Sequence, residues 1–187
     1  MEGVSAVKLK FLDENNETII KRAIDGDKES FIELIKKYKI YLYKIAYSYV
    51  KNEEDALEII QECTYRAMLN IKSIKNIASF KYWLTRIVIN CALDFIKNNK
   101  KICPLNDEIE ISSRREGVSI DEKLDLYRAI DILRDNYKTV IILKYFNDMT
   151  IESIANVMNI PENTVKTYLR RAKENLNKIL KEDYLNE

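Results

Sequence analysis

The sequence predicts an all-α fold: two small helical domains joined by a flexible acidic linker, the C-terminal one containing a helix-turn-helix. Three observations carry that expectation. Only 3 glycines and 2 prolines punctuate 187 residues, leaving few places for tight hairpins. Apolar residues recur close to a 3.6-residue period almost throughout, as helices that bury one face require. Between Cys103 and Asp125 that rhythm stops, and Pro104, Gly117, a Ser-Ser pair and seven acidic residues against three basic ones take its place. The boundaries follow: a first domain over 17–101, a linker over 102–123 and a second domain over 124–182.

In the first domain the spacing predicts helices over 17–24, 28–50, 53–71 and 79–98. Asp25-Gly26-Asp27 separates the first two. In the second helix Phe31, Leu34, Ile35, Tyr38, Leu42, Ile45, Ala46 and Tyr49 keep helical spacing, so its aromatics read as core packing and not as a platform for stacking bases. In the third, Ala56, Ile59, Ile60, Cys63 and Ala67 form the buried side, while Glu58, Gln61, Glu62 and Tyr65 make an outward polar stripe. Taken alone, that stripe is an ordinary solvent-facing surface. In the fourth, Phe80, Trp83, Leu84, Ile87 and Cys91 form the apolar set, accompanied by Lys81, Arg86, Asn90 and Lys97, with Lys100 and Lys101 past the helix end. Trp83 reads as a core residue; the alternative is an exposed edge that meets an unstacked base.

Residues 150–171 have the layout of a helix-turn-helix. Thr150 supplies a capping hydroxyl, and Ile151, Ile154, Ala155 and Met158 supply a buried face. Asn159 tolerates left-handed backbone angles, and Pro161 suits the first turn of the next helix. There Val165, Leu169, Ala172 and Leu176 make one apolar stripe, and Asn163, Lys166, Thr167, Arg170 and Lys173 point away from it. From Glu162 to Lys181 six basic residues face two acidic ones. A basic stripe alone is also what a solvated amphipathic helix carries; with the turn chemistry beside it, contact with duplex DNA is the stronger reading.

Composition excludes several other classes. The formal charge is +1, so affinity for nucleic acid has to come from local patches. No apolar run approaches the roughly 20 residues needed to cross a bilayer, and the N-terminus lacks a signal-peptide layout, so a cytoplasmic protein with no membrane insertion is expected. The 3 cysteines are far apart, and with His at 0 there is no imidazole, so neither a disulfide framework, a metal site nor a cofactor is expected. Cys63 and Cys91 read as small core residues; Cys103, before Pro104, reads as part of the linker. Missing imidazole and the lack of a glycine-rich phosphate loop weigh against an enzyme. The acidic run Glu53-Glu54-Asp55 stands where a helix begins, which suits the helix dipole.

Taken together, these segments resemble the extracytoplasmic-function class of bacterial RNA polymerase sigma factors, in the sigma-70 family. The resemblance covers about 25–180. Asp55-Ala-Leu-Glu-Ile-Ile-Gln-Glu62 looks like the family's region 2.2, residues 80–94 look like regions 2.3 and 2.4, and 133–173 look like region 4. The resemblance implies that Asp55, Glu58, Gln61 and Glu62 dock on the clamp helices of core RNA polymerase. It implies that Lys75, Asn76, Lys81, Trp83, Arg86, Asn90 and Lys97 hold the melted non-template strand of the minus-10 element. It further implies that Asn163, Thr164, Lys166, Thr167, Arg170, Arg171 and Lys173 bind promoter DNA at minus 35, and that the linker threads toward the polymerase active-site cleft. Factors of this kind are commonly held inactive by an anti-sigma factor.

The chain departs from the family pattern at Glu58, where Asp is frequent, at Tyr168, where a basic or small residue is frequent, and at Phe95-Ile-Lys97, which offers a lysine in place of an arginine. The first keeps its charge; the last weakens one phosphate contact. A rival reading is a stand-alone helix-turn-helix transcriptional regulator whose N-terminal helices sense a ligand or dimerise. A helical enzyme is the third.

Overall fold

The computed structural model describes residues 14–102 and 120–185. Its helices are α1 (Glu14–Ile24), α2 (Lys28–Val50), α3 (Glu53–Asn70), α4 (Phe80–Ile102), α5 (Ile120–Ile132), α6 (Asp135–Ile141), α7 (Ile151–Met158) and α8 (Glu162–Leu185). Single 3₁₀ turns at Ile71–Ser73 and Ile77–Ser79 lead from α3 into α4, and α6 widens into a π turn over Ile142–Phe146. No strand occurs among the described residues.

Local chemistry sets the helix ends. Gly26 takes a φ of 105° that a side chain would resist, and Asp27 then caps α2: its carboxylate accepts the Glu29 N–H and the Ser30 hydroxyl. Asn52 caps α3 by accepting the Asp55 N–H at 3.1 Å. Three ends run past the positions the sequence marked, one of them the start of α1, at Glu14 and not at 17. The last turn of α4 continues beyond Asn98 to Ile102. Helix α5 starts at Ile120, inside the stretch read as linker, because acidic residues also suit a first helical turn. The rest of that linker, with Cys103, lies outside the described residues.

The first half is a bundle around α2, which packs on α1, α3 and α4. Leu34, Leu42 and Ile45 on its inner stripe have no exposed surface, and each such side chain contributes roughly 1.5–3 kcal/mol relative to exposure. Cys63 and Cys91 are buried free thiols of α3 and α4. The second half packs α6 and α7 on α8, with α5 laid along α8.

The two halves are not merely tethered. Helix α7 rests on α4, the π turn rests on α2, and buried residues from both sides form one continuous apolar cluster. Polar contacts, one of them buried, span the seam. The Tyr49 hydroxyl donates to Thr139 Oγ1 at 3.1 Å, and burial pushes its ionisation well above the usual phenol range. Lys51 pairs with Asp131 at 3.4 Å and lies 4.3 Å from the Tyr127 ring centroid. Asp131 is shared with Lys138, and Lys97 of α4 pairs with Asp135 of α6 at 2.8 Å.

The Asp27 carboxyl is held at about 2, below its usual 3.8, mainly by the Ser30 hydroxyl, then by the Glu29 N–H and Arg22. A depressed pKa stabilises the fold above the unfolded value and loses that contribution as pH falls through the folded one. In melts from pH 6 to pH 2, wild type should exceed Asp27→Asn by a constant margin down to about pH 4, and the margin should close between there and about pH 2.

Candidate nucleic-acid interface

The outward stripe of α3 is real: Glu58, Gln61, Glu62 and Tyr65 are all exposed, and Asp55 is half-buried at the helix start. Leu57 and Met68, also exposed, add apolar surface to the same helix. Beside the stripe a cavity of about 490 Å³ opens between α3 and α4, lined by Glu58, Gln61, Glu62, Arg66, Asp94 and Phe95 among others. Arg66 organises its rim. Its Nε donates to Glu62 at 2.6 Å and its Nη1 to Asp94 at 2.7 Å, and those bonds, Asp94 first, push its already high pKa further up. The Glu62–Arg66 spacing is legible in the sequence; the Asp94 partner, 28 positions on, is not.

The minus-10 candidates occupy α4 and the turn before it. Lys75 and Asn76 are exposed, and Asn76 caps the 3₁₀ turn by accepting the Ala78 N–H at 3.0 Å. Lys81 is half-buried with its ammonium 4.8 Å from the Tyr41 ring, and burial lowers its pKa. Below it Thr85 donates to the Lys81 carbonyl and therefore accepts the Tyr41 hydroxyl, at 2.7 Å each. Tyr41 and Thr85 had no signal in the sequence that tied them to this surface. Trp83, read as a core residue, is corrected to half-exposed, and Ile87 likewise lies at the margin. Fully buried Val88, Ile89 and Ala92 fill the core side instead, because α4 presents that face to α2 and α3. Trp83 keeps an edge against Phe80, with ring centroids 5.8 Å apart.

Arg86 is not open to solvent contacts alone. Its Nε donates to the Val157 carbonyl at 2.7 Å and its Nη2 to the Asn156 carbonyl at 3.0 Å, both in the last turn of α7. Asn90 is exposed on the same side of α4, and Lys97 carries the Asp135 pair.

The helix-turn-helix forms as its turn chemistry requires. Thr150 Oγ1 accepts the Ser153 N–H at 3.1 Å, and Asn159 sits at φ 55°, ψ 48° in the left-handed region. Pro161 stands one place before α8, its carbonyl accepting from Thr164 and Val165. Ile154 is buried as expected, but the other fully buried residue of α7 is Val157, which the expected face omitted, because α7 is covered by α4 as well as by α8. On α8, Val165, Leu169 and Ala172 are buried, whereas Asn163, Lys166, Arg170, Arg171 and Lys173 are exposed and Thr164 and Thr167 half-exposed. Thr167 donates to the Asn163 carbonyl, Arg170 pairs with Glu174 at 2.6 Å, and Lys173 lies 5.2 Å from the Tyr145 ring. The result is a basic, hydrogen-bonding face on a rigid helix, the geometry that phosphate and base-edge contact calls for.

Comparison with known proteins agrees with this arrangement. The family model for sigma-70 region 2 matches residues 34–102, and that for sigma-70 region 4 matches residues 123–176. RNA polymerase sigma factor SigV of Bacillus subtilis (strain 168) is 38% identical over 146 residues, covering 78% of this chain and 87% of that one. ECF RNA polymerase sigma factor SigW of the same strain is 31% identical over 178 residues, covering 87% and 95%. Among solved structures, CnrH in complex with the cytosolic domain of CnrY shares the fold with a TM-score of 0.61 at 21% identity, covering 89% of this chain and 97% of that one. The region 2 match covers α3, α4 and most of α2, helices that the stand-alone regulator reading had left to ligand sensing or dimerisation. Among the described residues, no helix is long and apolar enough to cross a membrane.

Thr150→Ala removes the hydroxyl that caps α7 and should cost about 1 kcal/mol of stability. Urea unfolding followed by circular dichroism measures it; a midpoint equal to wild type would mean that the cap contributes nothing.

Proposed function

The chain belongs to the sigma-70 family, in its extracytoplasmic-function class, as a promoter-recognising sigma factor that directs transcription initiation, and on that footing we propose how its residues divide the task. Residues 17–101 act as region 2 and residues 124–182 as region 4, with the segment between them as the linker. The stripe of Asp55, Glu58, Gln61 and Glu62 docks on core RNA polymerase. The observation that supports it is the exposure of acid, amide and apolar groups together on one side of α3, beside an open cavity.

Lys75, Asn76, Lys81, Trp83, Arg86, Asn90 and Lys97 meet the melted minus-10 strand, where half-exposed Trp83 offers a stacking edge and the cations offer phosphate contacts. The exposed face of α8 enters the minus-35 major groove, with Lys166, Arg170, Arg171 and Lys173 on phosphate or base edges and Asn163, Thr164 and Thr167 as shorter hydrogen-bonding groups. Sigma factors are non-enzymatic initiation factors, and this chain makes and breaks no bond itself; the polymerase supplies the chemistry. It works in the cytoplasm. CnrH is solved with the cytosolic domain of CnrY, and another fold relative, RpoE of Bartonella quintana, with the anti-sigma factor NepR. An anti-sigma factor is accordingly proposed as a partner here.

Replacing Gln61 and Glu62 together by lysine should abolish co-purification with core polymerase while leaving the circular dichroism of the free protein unchanged. Retention at wild-type yield sinks the docking assignment. For the minus-35 face, Lys166→Ala and Arg171→Ala should each weaken binding of promoter DNA by the reconstituted holoenzyme and lower the slope of log K against log salt by about 1. A slope equal to wild type in both would remove those residues from the phosphate contacts.

A further inference from the structure

Two buried thiols take no part in docking or in DNA contact. Cys63 of α3 and Cys91 of α4 are free, enclosed and hydrogen-bonded to each other across the helix pair. They stand 28 positions apart, the same offset that separates Arg66 from Asp94. Each cysteine therefore lies one helical turn before one partner of that ion pair. Cys91 also lines the open cavity between α3 and α4, together with Glu58, Gln61, Glu62 and Arg66, so a small solute has a route to its sulfur.

The two thiols are not equivalent. The Cys63 S–H donates to Cys91, and burial adds to the effect, so Cys63 ionises well above the usual thiol range. The same hydrogen bond, and after it the Arg66 guanidinium, stabilises the Cys91 thiolate and lowers its pKa against the opposing effect of burial. A thiolate is the form that reacts with peroxides, and a neighbouring thiol is what resolves the product into a disulfide. Here the attacking sulfur opens on a cavity and the resolving sulfur is already in contact with it.

We propose that Cys63 and Cys91 are a peroxide-responsive pair whose disulfide weakens the docking of α3 on core polymerase. The Cys91 thiolate attacks one oxygen of hydrogen peroxide; an S–O bond forms, the O–O bond breaks, and the departing hydroxide takes up a proton to become water. The Cys63 sulfur then attacks the Cys91 sulfur, the S–O bond breaks, and the second hydroxide leaves as water with the Cys63 proton. The thiols lose two electrons in all, and the peroxide gains them. A reducing cytoplasm keeps the pair open at rest, as a signalling thiol pair requires. A disulfide holds its sulfurs closer than a hydrogen bond does, so it draws α3 toward α4 and shifts Arg66 relative to Asp94 one turn on, and with it the Glu62 carboxylate that Arg66 holds. The consequence for docking rests on the functional reading of α3; the chemistry of the pair does not.

The test treats the reduced full chain, in a Cys103→Ser background, with hydrogen peroxide and maps the products by peptide mass spectrometry. A Cys63–Cys91 disulfide should form, lighter than the reduced chain by two hydrogens and reversed by dithiothreitol. Cys63→Ala should stop at a Cys91 sulfenic acid that dimedone captures, and Cys91→Ala should leave Cys63 unmodified. The oxidised chain should bind core polymerase about tenfold more weakly than the reduced one with an unchanged helical signal, whereas peroxide should leave the binding of Cys91→Ala as it was. Absence of a disulfide between these two residues, or an oxidised chain that docks as tightly as the reduced one, overturns the proposal. A reduced chain that fails to bind core polymerase at all overturns the docking reading, and with it the regulatory consequence, while the mapped disulfide stands on its own.

Discussion

The apolar stripe of α2 from Phe31 to Tyr49 is the constraint on which the other surfaces depend. Three helices close around it, and the π turn at Ile142–Phe146 meets its far end, so the orientation of α3 and α4 is dictated by which of their faces can fill the space left beside it. Once Ala56, Ile59 and Cys63 of α3 and Leu84, Val88 and Ala92 of α4 turn inward, their polar stripes have nowhere to go but out. Burial thus sets which polar groups each helix displays.

Charge is used locally in a chain that is almost neutral as a whole. The α8 face concentrates cations, the α3 face concentrates acids and amides, and each sits on a helix whose backbone is internally satisfied. A protein with this distribution has no long-range pull on DNA and relies on being carried to it, which suits a subunit of a larger machine better than a factor that searches alone.

The seam between the halves combines buried packing with contacts that water and salt can contest. Tyr49 and Thr139 are enclosed, whereas Lys97 and Asp135 are largely solvated, and exposed pairs of that kind contribute little individually.

Much of this molecule was legible from one-dimensional pattern. The bounds of α2, the cap Thr150, the left-handed Asn159, the inward set of α3 and the outward cations of α8 all follow from residue type at helical spacing, because helix formation and capping are governed by neighbours within about four positions. What the pattern missed has one physical cause. Trp83 at the margin, Val157 fully enclosed, Asp94 beside Arg66 and Arg86 on the carbonyls of α7 depend on which helix lies against which, and that choice is made by packing between segments tens of residues apart. The sequence by itself determined that two helical halves exist and which groups each can display; only the tertiary structure decided that the halves close on one another, since shape complementarity across a seam leaves no periodic trace along the chain.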